Sequence, residues 1–358
     1  MIKNLSSDRL YFIDAIRAWA ILMMLQGHFV AALLSDSYRN MDNQLYVVWN
    51  YFRGITAPVF FTVSGFIFTL LLIRNFDQGW LNPRVKKGIK RGLQLIAIGY
   101  ILQIRFFRLI KGEINDSYNI VHVLQCLGLS VILIVLLYLC FYKTKKEVLA
   151  IFLCLITVLL FVFKSRYVQW NYSFLPEFIA NYFVKANGSV FTIVPWFGYT
   201  SFGGFLSVFF LNYTTKSNFY RNTILITVFL LGCILIINSY GMIKNLYVIT
   251  GFNFFNEALQ DSYLFEHLGV VLLIFAFFML FGKYCNRQII LRIGQKTLPI
   301  YILHSMVLYG SISGFGLSRF FYHSLSFVPV FIGAICFVVL ISGTILIFYK
   351  KSPKSIEM

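Results

Sequence analysis

The sequence predicts an all-helical, polytopic integral membrane protein in which residues 1–358 form a single transmembrane domain. Hydrophobic residues make up 59% of the chain and charged residues only 12%, whereas charged residues make up about a quarter of a soluble domain. The apolar residues occur in runs close to the roughly 20 residues that a helix needs to cross a bilayer. Because no long segment lacks such runs, we expect no separate soluble domain.

About ten apolar runs are candidate transmembrane helices. The first run lacks a small-residue cleavage site and is followed by more spans, so we expect it to be retained as a helix. The fifth and ninth runs are short for a full span. In chain order the runs cover approximately residues 12–34, 47–73, 89–110, 121–142, 148–163, 190–211, 222–240, 265–281, 297–311 and 328–349.

The loops between these runs predict the orientation. Most of the 31 Lys and Arg residues fall in alternate loops, and the acidic residues fall mainly in the other loops. Because basic loops stay in the cytoplasm, both termini are expected there. This pattern also accounts for the net charge of +18, so we expect no nucleic-acid partner. Two long aromatic loops on the outer side, about 164–189 and 241–264, are expected either to cap a cavity or to form an interfacial belt.

The first run carries three residues that are unusual in a membrane helix. Asp14 and Arg17 are three residues apart and therefore neighbours on one helix face. His28 lies eleven residues after Arg17, close to three full turns, and returns to the same face about 16 Å away. Buried charges in membranes usually face a cavity or a partner. This pattern favours a polar channel, although a helix-end ion pair and a structural histidine would also explain it.

Other polar residues occur in or beside predicted spans, and together they outline a polar cavity open to the outer side. Each one alone is also consistent with a structural role. As candidate substrate-binding residues we select Arg53, His122, Gln125, Glu266, His267 and His304.

A basic segment, NPRVKKGIKRG (82–92), is expected just before the third helix. Basic side chains beside a helix N-terminus suit the phosphates of a polyanion, although ordinary cytoplasmic anchoring is the alternative. The candidate phosphate-binding residues are Arg84, Lys87, Lys90 and Arg91. The six cysteines are spread singly, without spacing typical of a metal site, so no metal ion is expected.

Five segments in order resemble motifs of membrane-bound acyltransferases. The first, RLYFIDAIRAWAILMMLQGHF (9–29), is similar to the opening helix of the acyltransferase-3 family. The full set is closer to the heparan-α-glucosaminide N-acetyltransferase-like group, although Ala18 follows Arg17 where that group usually has glycine. The later segments are APVFFTVSG (57–65), VLQCLG (123–128), PWFGY (195–199) and GQKTLPIYILH (294–304).

This resemblance implies a multi-helix enzyme that takes an acyl group from cytoplasmic acyl-CoA. In that group of enzymes the acyl group is usually acetyl, with a longer acyl group as the alternative, and it is delivered to a hydroxyl or amine of an extracytoplasmic acceptor such as a glycan or glycolipid. The resemblance implies that His28 is the catalytic histidine, acting as a base or as a transient acyl carrier, with Arg17 and Asp14 beside it. A bacterial cytoplasmic membrane is the expected location.

Two other classes of protein fit part of the pattern. A transporter or flippase would also need many spans and a polar cavity, but such proteins often show inverted repeats, which are not evident here. A membrane scaffold has little use for an intramembrane Asp, Arg and His. A homo-oligomer is possible, but the sequence does not predict one, because no small-residue face stands out as an interface.

Overall fold

The computed structural model describes residues 10–106, 110, 112, 116–211, 213 and 216–350. Arg9, which starts the first quoted motif, and residues 107–109, at the end of the third predicted run, lie outside these residues. The all-helical class is confirmed within the described residues, where the only β-type contacts are two isolated bridges, Leu34–Leu325 and Arg105–Ile312.

The longer helices are numbered here in chain order. They are α1 (Tyr11–Leu33), α2 (Gln44–Ile73), α3 (Pro83–Ile101), α4 (Val123–Phe141), α5 (Lys146–Val162), α6 (Ile193–Phe209), α7 (Asn218–Thr250), α8 (Tyr263–Leu280), α9 (Gln288–Gln295), α10 (Thr297–Tyr309) and α11 (Phe327–Lys350). Short helical turns in the connections are Asp36–Tyr38, Phe76–Leu81, Asp116–Asn119, Lys164–Gln169, Glu177–Ala180, Asn253–Ala258, Leu259–Asp261, Gly282–Tyr284 and Leu317–Phe321.

Six helices of the described chain are long and apolar enough to cross a membrane, namely α1, α2, α4, α7, α8 and α11. The apolar helices α6 and α10 are shorter, with 17 and 13 residues. Helix α5 has 17 residues, and the first half of α3 is rich in basic residues. Each of the ten predicted runs overlaps a helix, whereas the count of ten spans and their orientation stay predictions.

Two predicted boundaries were wrong. The basic segment does not precede the third helix but forms its first turns, because Pro83 opens α3 and the Asn82 side chain accepts a hydrogen bond from the Arg84 amide at 2.9 Å. Helix α7 runs on to Thr250, so residues 241–250 are helix and not outer loop. It ends where Gly251 adopts a left-handed conformation, which glycine tolerates.

The contacts divide the chain into two compact units. The described parts of residues 1–10, 58–101 and 115–280 form the larger unit, and those of residues 11–57, 102–114 and 281–358 form the smaller unit. Helix α2 belongs to both, and Pro58 within it marks the division. That residues 1–358 act as one transmembrane domain stays a prediction.

The smaller unit is built around α1. Side chains of α1 pack against α9, α10 and α11 in one apolar cluster, in which the rings of Phe29 and Phe337 lie 5.1 Å apart. Gly294 of α9 lies directly against the backbone of Asp14. This packing sets the depth and rotation of α1, which carries the polar face predicted from the sequence.

The larger unit is held together by close helix crossings at glycines. Gly92 of α3 lies against Gly128 of α4, and Gly232 of α7 lies against Gly269 of α8. Gly203 of α6 lies against the backbone of α2. Small residues allow membrane helices to approach closely, which strengthens packing where no hydrophobic effect drives association.

Candidate active site

The cytoplasm-proximal end predicted for α1 carries a small polar cluster. The Asp14 and Arg17 pairing expected from their spacing is confirmed, with Arg17 Nη1 lying 3.8 Å from Asp14 Oδ1. Arg17 Nη2 also donates a hydrogen bond of 3.3 Å to Thr297 Oγ1 at the start of α10. Asp14 is buried and Arg17 is partly buried. The guanidinium therefore connects the first turns of α1 to those of α10.

A pair of histidines lies further along α1. His28 Nδ1 is 3.1 Å from His304 Nε2, across 276 residues of sequence. The two rings are tilted, with centroids 5.2 Å apart. His304 is 1% exposed, whereas His28 is partly exposed. His28 is thus the member of the pair that another molecule can reach, and His304 lies behind it.

The hydrogen bonds of His304 determine the tautomers of both rings. His304 Nδ1 contacts the Tyr301 carbonyl oxygen, which can only accept, so this nitrogen carries a hydrogen. In a neutral imidazole the other nitrogen is then an acceptor. His304 Nε2 accordingly accepts from Nδ1–H of His28. If both rings are neutral, Nε2 of His28 is then its unprotonated ring nitrogen.

Further side chains surround the histidine pair. The Tyr309 ring lies edge-on to the His28 ring, with centroids 5.9 Å apart. The aliphatic stem of Arg53 passes beside Gly27, so close that a Cβ added there would lie 3.4 Å from Arg53 Cγ. The Arg53 guanidinium lies over the Trp49 ring at 5.7 Å. A phenol therefore lies against the His28 ring, and an arginine side chain passes beside the residue that precedes His28.

The other candidate residues belong to the larger unit. His122 precedes α4, and its amide donates to the Gln125 side-chain oxygen at 3.2 Å. Gln125 is fully buried against Gly99 of α3, and no described residue forms a hydrogen bond with its amide nitrogen. Glu266 and His267 lie in the first turns of α8, with the His267 ring edge-on to the Tyr263 ring at 5.5 Å. These residues form two separate local clusters within their unit.

The four candidate phosphate-binding residues all lie on α3. Arg84, Lys87 and Arg91 are three and four residues apart and form one stripe along the helix. Lys90 lies on the adjoining face. Burial of the opposite face against α4 leaves Lys87, Lys90 and Arg91 exposed and Arg84 partly exposed. The helix therefore presents a basic surface at its N-terminal end, where its dipole also favours anions.

Sequence reasoning did not assign roles to Thr297, Tyr301 and Tyr309. All three lie in α10, and Thr297 and Tyr301 are within the quoted segment GQKTLPIYILH. Polar groups in an otherwise apolar helix were the signal that could have identified them. Within the described residues, no group of three or more His, Cys, Asp or Glu side chains is arranged to hold a metal ion.

Comparison with known proteins identifies the family to which the chain belongs. The catalytic-domain profile of "Heparan-alpha-glucosaminide N-acetyltransferase" matches residues 9–232, which is more than half of the chain. The chain belongs to this family. The resemblance stated from the motifs is thereby confirmed, and it supports membership in a class of membrane acyltransferases.

Curated relatives of this heparan-α-glucosaminide N-acetyltransferase family member include bacterial proteins. "Glucans biosynthesis protein C" of Escherichia coli strain SMS-3-5 is 24% identical over 155 residues, and that of strain K12 is 23% identical over the same length. Each match covers 39% of this chain and 40% of the relative. The chain therefore matches less than half of these relatives' length. Family membership and several long apolar helices show an integral membrane protein of the acyltransferase class.

Proposed function

We propose that this protein moves an acetyl group from cytoplasmic acetyl-CoA to a hydroxyl or amine of a glycan or glycolipid on the outer side of a bacterial cytoplasmic membrane. The observation that carries the proposal is the histidine pair, in which the partly exposed His28 lies 3.1 Å from the buried His304. Family membership supports the reaction class. The name of the relatives, which concerns glucans, supports a glycan acceptor.

In the proposed topology ten helices span the membrane and both termini are cytoplasmic. The basic N-terminal end of α3 then faces the cytoplasm, as do Asp14 and Arg17 at the start of α1. We assign the phosphates of the donor to Arg84, Lys87, Lys90 and Arg91, because guanidinium and ammonium groups suit phosphate oxygens. His28 lies deeper in the membrane on the outer half of α1, so the acyl group has to enter from one side and the acceptor from the other.

The chemistry follows from the tautomer of His28. Its Nε2 takes the proton of the acceptor hydroxyl or amine while the acceptor oxygen or nitrogen attacks the thioester carbonyl. When the tetrahedral intermediate collapses, the C–S bond breaks and His28 returns the proton to the CoA sulfur. General base catalysis of this kind contributes about 10²- to 10⁴-fold to the rate. Attack of His28 on the thioester to form a transient acyl-histidine is the alternative route.

In this scheme His304 positions His28 and does not itself react. It accepts Nδ1–H of His28 and thereby keeps Nε2 as the reactive nitrogen. Arg53 borders the outer side of the pair and is assigned to the acceptor or to the developing oxyanion, since preorganised cations stabilise such charge. His122, Gln125, Glu266 and His267 are assigned to acceptor binding.

The first test measures binding and cleavage of radiolabelled acetyl-CoA by the purified protein. Wild type is expected to bind acetyl-CoA and slowly release free thiol, whereas His28→Ala binds but does not turn over. Arg17→Ala is expected to lose activity because Arg17 connects α1 to α10. His323→Ala, a histidine outside the proposed site, is the matched control and retains activity. If wild type neither binds nor cleaves acyl-CoA, the proposal fails, and the transporter alternative is tested next by substrate translocation.

A second test separates positioning from folding. His304→Leu removes the acceptor for Nδ1–H of His28 and is expected to lower kcat by about 10²-fold, the lower end of general base catalysis. In His304→Gln the side-chain oxygen is able to accept the same hydrogen bond and is expected to restore part of the activity. Equal activity of the two variants would contradict the positioning role.

A further inference from the structure

One face of α3 combines two ammonium groups with an exposed apolar surface. Lys86, Ile89, Lys90, Leu93 and Ala97, together with Gln94, line a shallow groove that is largely open to the surroundings. Their spacing of three and four residues places them on one side of the helix. Lys86 and Lys90 are exposed, and Leu93 is 56% exposed.

The opposite side of α3 packs against neighbouring helices. Val85, Gly88, Gly92, Leu95 and Gly99 are buried. The three glycines lie so close to α4 or α2 side chains or backbone that no Cβ would fit without movement. Helix α3 therefore cannot turn its groove inwards, and the groove stays on the surface of the protein.

The two lysines are not neutralised by the protein. Neither Lys86 nor Lys90 forms an ion pair with a described residue. They lie one turn apart at the N-terminal end of the groove, and the apolar residues Leu93 and Ala97 follow. The groove thus has a cationic end and an apolar end, an arrangement that complements an anionic amphiphile.

The groove is long enough to follow part of an acyl chain within one membrane leaflet. From Lys90 to Ala97 the helix rises about 10 Å at 1.5 Å per residue. That is about two thirds of the roughly 15 Å of hydrocarbon in one leaflet. With the lysines at the headgroup level, the apolar part of the groove would run alongside the upper part of an acyl chain. A soluble phosphate compound would leave this apolar part unused.

We propose that this face of α3 binds an anionic glycerophospholipid, with its headgroup phosphate held by Lys86 and Lys90 and an acyl chain along Leu93 and Ala97. Basic residues near an anionic membrane surface are attracted to it. The site lies beside the stripe of Arg84, Lys87 and Arg91 that is assigned to the donor, and it shares Lys90 with that assignment, so donor and lipid would compete for this one ammonium group. It rests on the proposed topology but not on the proposed enzymatic activity.

The test uses spin-labelled phosphatidylglycerol in phosphatidylcholine nanodiscs that hold the full chain. The wild-type protein is expected to immobilise spin-labelled phosphatidylglycerol more strongly than spin-labelled phosphatidylcholine. Lys86→Gln is expected to weaken this preference about fivefold, the equivalent of about 1 kcal/mol for one charge. Lys86→Arg keeps the charge and retains the preference. Lys145→Gln, an exposed lysine before α5, is the matched control and leaves it unchanged.

Three results would overturn the proposal. The first is equal immobilisation of both lipids by wild type, and the second is an equal loss in Lys86→Gln and Lys145→Gln. The third is displacement of the lipid by soluble glycerol phosphate at concentrations near those of the lipid, which would show a site for the phosphate alone. Because the readout is lipid mobility, failure of this proposal leaves the acetyl-CoA test unaffected.

Discussion

Gly294→Ala tests whether the close contact between α9 and α1 positions the polar face. The Cβ of an alanine at this position would lie 2.9 Å from the Asp14 carbonyl carbon and still closer to its oxygen. Contacts between carbon and carbonyl oxygen are normally about 3.3 Å or longer. The clash joins the alanine Cβ and the Asp14 carbonyl oxygen, and neither atom moves when a side chain rotates. The two helices must therefore separate by roughly 1 Å.

Two opposing terms give the expected magnitude. Replacing glycine by alanine within a helix stabilises it by about 1 kcal/mol. Overpacking of this kind costs about 1–3 kcal/mol, and the rigid backbone contact favours the upper end. We expect a net destabilisation of about 2 kcal/mol. The shift also lengthens the bond of 3.3 Å between Arg17 and Thr297 beyond hydrogen-bonding range, and a misplacement of about 1 Å in an active site costs up to 10²-fold in rate.

The assay is chemical unfolding in detergent, combined with acetyl-CoA turnover. Gly343→Ala is the matched control, because Gly343 lies within α11 and a Cβ there meets nothing within 4 Å. The control is expected to be as stable as wild type or slightly more stable, with unchanged turnover. If Gly294→Ala unfolds at the same denaturant concentration as Gly343→Ala, the close contact does not constrain α1 and the reasoning is refuted.

Three further predictions concern the larger unit. Asp261→Asn is expected to lower the free energy of unfolding by about 2 kcal/mol. This loss is smaller than that for breaking a fully buried ion pair, because the partner Lys164 is 21% exposed. Denaturant titration measures the loss, and an unchanged unfolding midpoint would contradict the prediction. Asn82→Ala is expected to lower the free energy of unfolding by about 2 kcal/mol in the same assay, since the buried Asn82 amide donates to two backbone carbonyls. A loss below the assay error would show that water replaces the Asn82 amide as the donor. Hydrogen bonds from Arg166 lower the pKa of the Glu257 carboxyl below its usual value of 4.5. The stabilisation by this ion pair is therefore present above pH 4.5 and is lost as the pH falls through the lowered pKa. The stability difference between wild type and Glu257→Gln is expected to shrink on acidification, and a constant difference would exclude this linkage.

Local features of the sequence determined the helical class and the first polar cluster. Apolar runs near 20 residues indicate helices wherever they occur, and Asp14 and Arg17 pair because residues three apart share a helix face. The ordered motifs identified the family without any contact information. These features depend only on residues that are close together in the chain, and periodicity is enough to read them.

The ends of the helices were predicted less accurately from the sequence pattern than the helices themselves. Helix α3 begins at Pro83 within a basic segment that hydropathy placed outside the helix. Helix α7 continues through residues that were expected to be loop, up to a glycine that ends it. In both cases a capping residue ended or began the helix, whereas hydropathy reports only where apolar residues are frequent.

Only the tertiary structure decided which partners the polar residues have. His28 and His304 are 276 residues apart, and no spacing rule connects them. The close packing of Gly294 on α1 brings α10 to the place where His304 meets His28 and Thr297 meets Arg17. The sequence by itself determined that α1 carries a titratable histidine. The folded chain decided that His28 lies against His304, whose other ring nitrogen contacts the Tyr301 carbonyl oxygen.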